Sequence, residues 1–287
     1  MFLISHAVAT PTLRAYPSAK EAAGICFASI PPVIMPKDDI LHLDRGDGVP
    51  LAARLLAGRA PTVVFLPGFR SDMTGDKASH LARLCAGRGQ ALLRLDYSGH
   101  GASGGRFEDG TIGLWTADAL AVIDRLTSGP LILVGSSMGG WIALRVALAR
   151  PARVAGLLGL AAAPDFTERL MWDAMAPPER ARLLADGVLH VPGQYGPPTP
   201  ITRALIEDGR RHLLLDAPIP IRCPVRLLHG QADPDVPWET SLRLAALITG
   251  SDVRVILVKD GDHRLSRPAD LALLAGVLGP FLGEDRG

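Results

Sequence analysis

The feature that most constrains this chain is a G-x-S-x-G motif between a predicted strand and a predicted helix. The apolar run at residues 131–134 is followed by Gly135, Ser137 and Gly139, and a helical pattern begins at Met138. A serine on such a tight turn has a strained backbone, and glycine at the flanking positions avoids Cβ clashes. In a glycine-rich chain the motif alone would indicate only a turn. Because a strand precedes it and a helix follows, we predict Ser137 as a nucleophile.

Two later strand-to-loop junctions supply an acid and a histidine in the chain order that such a serine requires. The apolar run at residues 225–228 leads into a loop with two acids, Asp233 and Asp235. We favour Asp233 and keep Asp235 as the alternative, because sequence does not reveal loop geometry. The last apolar run, residues 253–258, leads to His263, and no other histidine follows the acid. Chain order therefore predicts His263 as the base.

The remaining polar candidates have structural interpretations. Asp233 also fits an Asx turn before Pro234, whatever its other role. His229 ends a predicted buried strand, and we expect it to bond locally and shape the acid loop. His100 lies on a loop that could border the site, and we interpret it as a polar loop residue. No pair of the eight histidines has the spacing of a metal site, so no metal is expected.

Two backbone N–H groups are predicted to stabilise the oxyanion that forms in acyl transfer. One belongs to Met138, directly after the predicted nucleophile. The other belongs to Phe69, in the loop after the apolar run at residues 63–66, where Gly68 permits a tight turn. An ordinary strand-to-helix turn would contain the same Pro67-Gly68 pair, so the pair by itself does not indicate an oxyanion site. The assignment of Phe69 therefore depends on where the loop stands in the chain.

These motifs together resemble the α/β-hydrolase superfamily of serine hydrolases. The segments that carry the resemblance are residues 65–77, 96–99, 134–141, 223–230 and 262–264. The loop with Pro67-Gly68, Gly75 and Lys77 narrows it to the mitochondrial palmitoyl-protein thioesterases, which are also described as acyl-glucuronide esterases. Many superfamily members have His-Gly in place of Pro67-Gly68, so a side-chain role for that histidine is excluded here. The resemblance spans most of the chain from about Asp38.

The resemblance implies an α/β-hydrolase fold, a mostly parallel eight-stranded sheet with helices on both faces and a small inserted helical cap. The apolar pattern agrees with it. Runs at residues 41–43 and 51–55 flank Gly46-Asp47-Gly48 and predict an opening hairpin. Six further runs alternate with helical stretches, as in β-α-β units, and lie near Val63, Leu92, Leu131, Val154, Val225 and Val253.

We predict one α/β-hydrolase domain at residues 38–287, with the cap inserted at about residues 164–217, where proline and glycine interrupt short helical pieces. The cap carries apolar side chains that could line an acyl pocket: Met171, Trp172, Met175 and Tyr195. Residues at such spacing more often serve packing. The cap's six arginines and eight acids argue against a coenzyme A ester, whose phosphates require a basic lid.

The first 37 residues differ from the rest, because Glu21 is their only acid and no helix or strand pattern persists. We interpret residues 1–37 as a poorly ordered arm or as sequence upstream of the true start, with Met35 as a credible start. Three cysteines without a C-x-x-C pair predict a cytoplasmic location. The mitochondrial matrix is the alternative if residues 1–37 are a presequence.

The residues and the resemblance together imply a serine hydrolase that cleaves carboxylic esters or thioesters through an acyl-enzyme. The expected substrate is a small ester or thioester, or an acylated protein, and no cofactor is required. A net charge of +1 offers nucleic acid no electrostatic surface, and no apolar run reaches the roughly 18 residues of a membrane span. The alternative is a catalytically silent scaffold that acts as a binding protein.

Overall fold

The structure is a computed structural model that describes residues 39–192 and 198–283. The predicted arm at residues 1–37, with Met35, lies outside the described residues, and so does Tyr195. The described strands are β1 (Leu41–Asp44), β2 (Pro50–Leu56), β3 (Arg59–Leu66), β4 (Gln90–Leu95), β5 (Leu131–Ser136), β6 (Val154–Leu160), β7 (Val188–Val191), β8 (Thr199–Thr202), β9 (Val225–Gly230) and β10 (Val253–Val258). The described α-helices are α1 (Asp76–Gly87), α2 (Ile112–Leu126), α3 (Met138–Ala149), α4 (Pro177–Asp186), α5 (Arg203–Arg210), α6 (Glu239–Leu247) and α7 (Pro268–Leu278).

Eight strands form one sheet in the order β1-β2-β4-β3-β5-β6-β9-β10. Strands β1 and β2 pair antiparallel, and β2 pairs antiparallel with β4, whereas all other neighbours are parallel. Every residue of β4 and β5 is buried, which explains the apolar run at residues 131–134 of β5, whereas β4 also buries Gln90 and Arg94. The predicted opening hairpin and the six predicted parallel strands are confirmed.

Helices cover both faces of the sheet. One buried cluster joins the sheet to α2, α3 and α6 and contains Trp115, Trp141 and Leu244. A second cluster joins it to α1 and α7 through residues such as Leu81 and Leu274. With a core on each side, the sheet is rigid, and the ends of its strands are fixed points from which loops project. Of the helices in residues 39–192 and 198–283, none is both long and apolar enough to cross a bilayer.

The segment between β6 and β9 adds a strand pair to the expected helical cap. It contains a π-helix at Thr167–Trp172, then α4, β7, β8 and α5, and β7 pairs antiparallel with β8 as a separate sheet. The inserted cap therefore has the expected helices and, in addition, a hairpin that the sequence did not predict. Pro200 lies in β8, and proline within a short run argues against a strand unless the strand is at an edge. Both strands of this pair are edges, so the missing N–H of Pro200 is tolerated.

Candidate active site

Ser137 lies on the turn between β5 and α3, with φ 54° and ψ −119°. This is a backbone conformation that non-glycine residues rarely adopt. The flanking glycines are required by close packing, because a Cβ on Gly135 would overlap the carbonyl oxygen of Gly139. A Cβ on Gly139 would in turn overlap the carbonyl oxygen of Leu66 on β3. The predicted strand-turn-helix context of the motif is thus present, and it holds the serine side chain at the end of the sheet.

The structure brings together the three side chains that chain order selected. His263, in the loop after β10, has Nε2 at 3.0 Å from Ser137 Oγ and Nδ1 at 2.8 Å from Asp233 Oδ2. Asp233 lies in the loop after β9 and its side chain is buried, whereas Asp235 is exposed. The carboxylate that accepts the hydrogen bond from His263 Nδ1 is therefore that of Asp233 and not that of the alternative acid.

Asp233 also forms the Asx turn that its neighbours suggested. Its Oδ1 accepts the backbone N–H of Asp235 at 2.8 Å and that of Val236 at 2.9 Å. The local structure and the contact to His263 use different oxygens of the same carboxyl group. The turn therefore fixes the orientation in which Oδ2 faces the histidine.

His229 shapes this loop from inside the core, as predicted. Its Nε2 lies 3.0 Å from the carbonyl oxygen of Val236 and 3.2 Å from Asp233 Oδ2, while Nδ1 lies 2.7 Å from Ser241 Oγ. Burial of the Asp233 carboxyl opposes its ionisation, but hydrogen bonds from His229 and His263 outweigh burial. The pKa of Asp233 is therefore well below its ordinary value, and the carboxyl is ionised at neutral pH.

The two predicted oxyanion donors lie beside the serine. Gly68 is so close that a Cβ there would stand 3.4 Å from Ser137 Cβ. The N–H of Ser71 donates to the carbonyl of Gly68 at 3.1 Å, so in the trans peptide the N–H of Phe69 points away from that bond. Met138 begins α3, where N–H groups have no partner within the helix. Across the described backbone, neither of these two N–H groups donates to another main-chain group.

A small pocket of about 240 Å³, with both polar and apolar lining, lies at Ser137 and His263 and is bordered by Lys77. Lys77 Nζ donates a hydrogen bond to the carbonyl oxygen of Arg264, directly after the histidine. Burial, together with the nearby Arg264 guanidinium, lowers the pKa of Lys77. Lys77, which only the family resemblance singled out, thus ties α1 to the loop that carries His263.

An apolar groove of about 460 Å³ lies beneath the cap and is bordered by Phe69. Met171 and Met175, for which the sequence favoured a packing role, line it together with side chains of the β7–β8 hairpin. Trp172 is placed differently, since its ring packs between two guanidinium groups, 5.1 Å from Arg180 and 4.5 Å from Arg210. Trp172 therefore stabilises the cap.

One contact to the loop that carries Phe69 was not expected from the sequence. His100 is 4% exposed, and its Nε2 accepts the backbone N–H of Arg70 at 3.3 Å. The glycines around His100 signalled a tight loop but gave no information about which other loop it would contact. The interpretation of His100 as an ordinary polar loop residue was therefore incomplete.

Comparison with known proteins decides the family. A model of the alpha/beta hydrolase family matches residues 63–273, more than half of the chain. The chain belongs to the α/β-hydrolase family. This α/β hydrolase is 40% identical over 255 residues to the human "Palmitoyl-protein thioesterase ABHD10, mitochondrial", covering 88% of this chain and 83% of that protein.

Solved structures of related α/β hydrolases agree. Mouse alpha/beta hydrolase domain-containing protein 10 matches with a TM-score of 0.79 and 38% identity, over 85% of this chain and 98% of that one. A putative hydrolase from Agrobacterium vitis S4 matches with a TM-score of 0.80 and 44% identity, over 85% and 97% of the two chains. The predicted fold class and family resemblance are confirmed, and the chain is an ester or thioester hydrolase.

Proposed function

We propose that this chain hydrolyses carboxylic esters and thioesters, acylated proteins among them, through a covalent acyl-enzyme on Ser137. The observation that carries the proposal is the continuous hydrogen-bonded series from Asp233 through His263 to Ser137. An ionised carboxylate at Nδ1 requires the proton on that nitrogen, which leaves the Nε2 lone pair facing the serine hydroxyl. The series is thus arranged for proton transfer from the serine.

In the first half of the reaction, His263 Nε2 takes the proton of Ser137 as Oγ attacks the carbonyl carbon. The N–H groups of Phe69 and Met138 bind the oxyanion, and neither needs to reorganise, because both are fixed by the turn and the helix. His263 then gives its proton to the leaving group. A thiol leaves with an ordinary pKa of about 8.5 and needs less protonation than an alcohol, so one site serves both substrates.

In the second half, His263 activates a water molecule that attacks the acyl-enzyme, and the acid is released as Ser137 recovers its proton. The ionised Asp233 stabilises the imidazolium in both halves, because its charge lies 2.8 Å from Nδ1. Each step uses only the chain's own residues and water.

The acyl chain is assigned to the apolar groove beneath the cap. Phe69 lines both this groove and the pocket at Ser137, so we place the acyl chain in the groove with its carbonyl group at Ser137. Apolar lining favours acyl groups that lose contact with water on binding. The pocket at Ser137 also has polar and charged side chains, Lys77 among them, and we place a hydrophilic leaving group there, such as a cysteine-containing peptide.

The thioesterase name belongs to the relatives and extends to this chain only as part of the proposal. The same holds for location: the mammalian relatives are named mitochondrial, which favours the mitochondrial alternative over the cytoplasmic expectation. Expression of the full chain with a C-terminal tag, followed by cell fractionation, tests this part. Recovery with the cytosolic marker would instead support the original expectation.

Turnover of a substrate panel tests the activity. The panel contains p-nitrophenyl esters of increasing chain length, an S-acyl peptide and an acyl glucuronide, each assayed with the parent chain and with Ser137→Ala. We expect turnover by the parent alone, and labelling of the parent alone by a fluorophosphonate probe. If the folded parent neither turns over any substrate nor takes the label, the silent-scaffold alternative replaces this proposal.

A further inference from the structure

The loop after β3, which carries Phe69, contains a residue in an uncommon backbone conformation. Arg70 has φ 58°, in the left-handed region that favours glycine. It is the third residue of the turn that the N–H of Ser71 closes on the carbonyl of Gly68, at 3.1 Å. When only the third residue of a turn has a positive φ, the turn is typically of type II, and glycine or asparagine usually occupies that position. An arginine there needs an interaction that favours this form of the turn.

His100 supplies that interaction. Its Nε2 lies 3.3 Å from the backbone nitrogen of Arg70, and its Nδ1 lies 3.2 Å from the carbonyl oxygen of Ser98. A carbonyl can only accept, so the ring proton is on Nδ1 and Nε2 is a free acceptor for the Arg70 N–H. Burial lowers the pKa of His100, which keeps the ring neutral and able to accept.

Aromatic packing fixes the position of that acceptor. The His100 ring lies edge-on to Trp115 and Phe107, with centroids 5.1 Å away in each case. The ring of Phe69 packs on the same two rings, at 5.1 Å from Phe107 and 5.9 Å from Trp115. The histidine and the predicted oxyanion residue are thus held by one rigid cluster.

We propose that His100 is a positioning residue: by accepting the Arg70 N–H it fixes the Phe69–Arg70 peptide of the Gly68–Ser71 turn, and this immobilises Phe69, whose own N–H lies on the preceding peptide and binds the oxyanion. By accepting the Arg70 N–H, it favours the type II form over type I, in which the Phe69–Arg70 peptide is rotated by about 150°. His100 exchanges no proton with substrate. The inference rests on the proposed oxyanion role of Phe69.

A matched pair of amide variants separates the two nitrogens of the ring. The amide of His100→Asn replaces the Nδ1 group at Ser98 but is too short to reach the Arg70 N–H. The longer side chain of His100→Gln can place its oxygen near the position of Nε2. We expect kcat for a p-nitrophenyl ester to fall on the order of tenfold in the Asn variant, with KM nearly unchanged, because the loss is confined to the transition state. The Gln variant should recover most of kcat.

A double substitution tests whether His100 acts through Arg70. Glycine adopts the left-handed conformation without strain, so Arg70→Gly removes the need for the acceptor. We expect His100→Asn to lower kcat on the order of tenfold in the parent but less than about threefold in the Arg70→Gly background. An equal loss in both backgrounds overturns the proposal, as does a His100→Asn variant with the parent's kcat.

Other outcomes are equally decisive. A rise in KM with unchanged kcat would indicate that His100 contributes to substrate binding, and it would contradict a role in positioning the Gly68–Ser71 turn. If His100→Asn does not fold, the test compares His100→Gln with the double variant His100→Gln/Arg70→Gly. The proposal is rejected if kcat of His100→Gln is far below that of the parent and the added Arg70→Gly substitution does not restore it. If the parent shows turnover that depends on Ser137, the proposed function stands even when the positioning role of His100 is rejected. If the parent shows no such turnover, the proposed function and the role of His100 are both overturned.

Discussion

His263 Nε2 lies 3.0 Å from Ser137 Oγ, although 126 residues separate the two along the chain. The contact arises because β5 and β10 belong to one largely parallel sheet, so the loops at their carboxyl ends project from the same edge. Neither side chain is needed to fill the core. The chemistry of the site can therefore be removed without removing the fold.

The first prediction is that Ser137→Ala lowers kcat on the order of 10⁴-fold or more, while the melting temperature stays within a few degrees of the parent. The substitution removes one hydroxyl and leaves the backbone strain unchanged. Steady-state assay and thermal denaturation measure the two effects. Ser251→Ala, at an exposed serine, is the control and should match the parent in both. A folded Ser137→Ala protein within tenfold of the parent's kcat contradicts the nucleophile assignment.

The second prediction separates the two acids of the loop after β9. Asp233→Asn should lower kcat by about 10⁴-fold, because an amide in place of Oδ2 no longer holds the proton on His263 Nδ1. Asp235→Asn should change kcat by less than about threefold, since that side chain is exposed and makes no bond to His263. Both variants are assayed with the same p-nitrophenyl ester. The reverse ranking would transfer the role to Asp235.

The third prediction concerns stability at low pH. Folding holds the pKa of Asp233 below its ordinary 3.8, so the unfolded chain binds this proton more tightly than the folded chain. The stabilisation by Asp233 is therefore complete above about pH 4 and is lost as the pH falls toward the folded-state pKa. Urea midpoints between about pH 5 and pH 2.5 should fall more steeply for the parent than for Asp233→Asn. Asp235→Asn should follow the parent, and identical slopes for all three proteins would contradict the depressed pKa.

The fourth prediction concerns the glycines of the serine turn. Gly135→Ala should abolish soluble folded protein or activity, because its Cβ would overlap the carbonyl oxygen of Gly139 and neither backbone can move away from the sheet. Gly276→Ala is the matched control: Gly276 lies on the exposed side of α7 with open space around it. That change should raise stability by about 0.5–1 kcal/mol through helix propensity. A folded, fully active Gly135→Ala protein would contradict the packing argument.

Local patterns allowed the strands of the sheet and the turn that carries Ser137 to be predicted, because each is encoded over a few residues. Apolar runs gave the strands, and the motif around Ser137 carried its own confirmation in the strand before it and the helix after it. Chain order then selected His263. The choice between Asp233 and Asp235 depended on the path of one loop, and the hydrogen bond to His263 supports the residue that was favoured.

Long-range contacts were less accessible. The β7–β8 hairpin of the cap is encoded in two four-residue strands, one with Pro200, and such strands carry almost no periodic signal. The contact from His100 to Arg70 joins the loops after β4 and β3, and nothing near either residue specifies it. Its effect becomes visible only when the positive φ of Arg70 and the tautomer of His100 are seen together.

The fifth prediction tests whether the apolar groove beneath the cap binds the acyl chain. Met171 lines the groove beneath the cap, so Met171→Trp should fill the space that a long acyl chain occupies and leave room for a short one. We expect kcat/KM for a long-chain p-nitrophenyl ester to fall on the order of tenfold or more, and that for the acetate to change less than about twofold. Leu184→Trp is the control, because Leu184 is 46% exposed on α4 and lies outside the groove lining. If Met171→Trp keeps the parent's chain-length profile, the acyl chain binds within the sheet domain, and Met171 serves only to pack the cap.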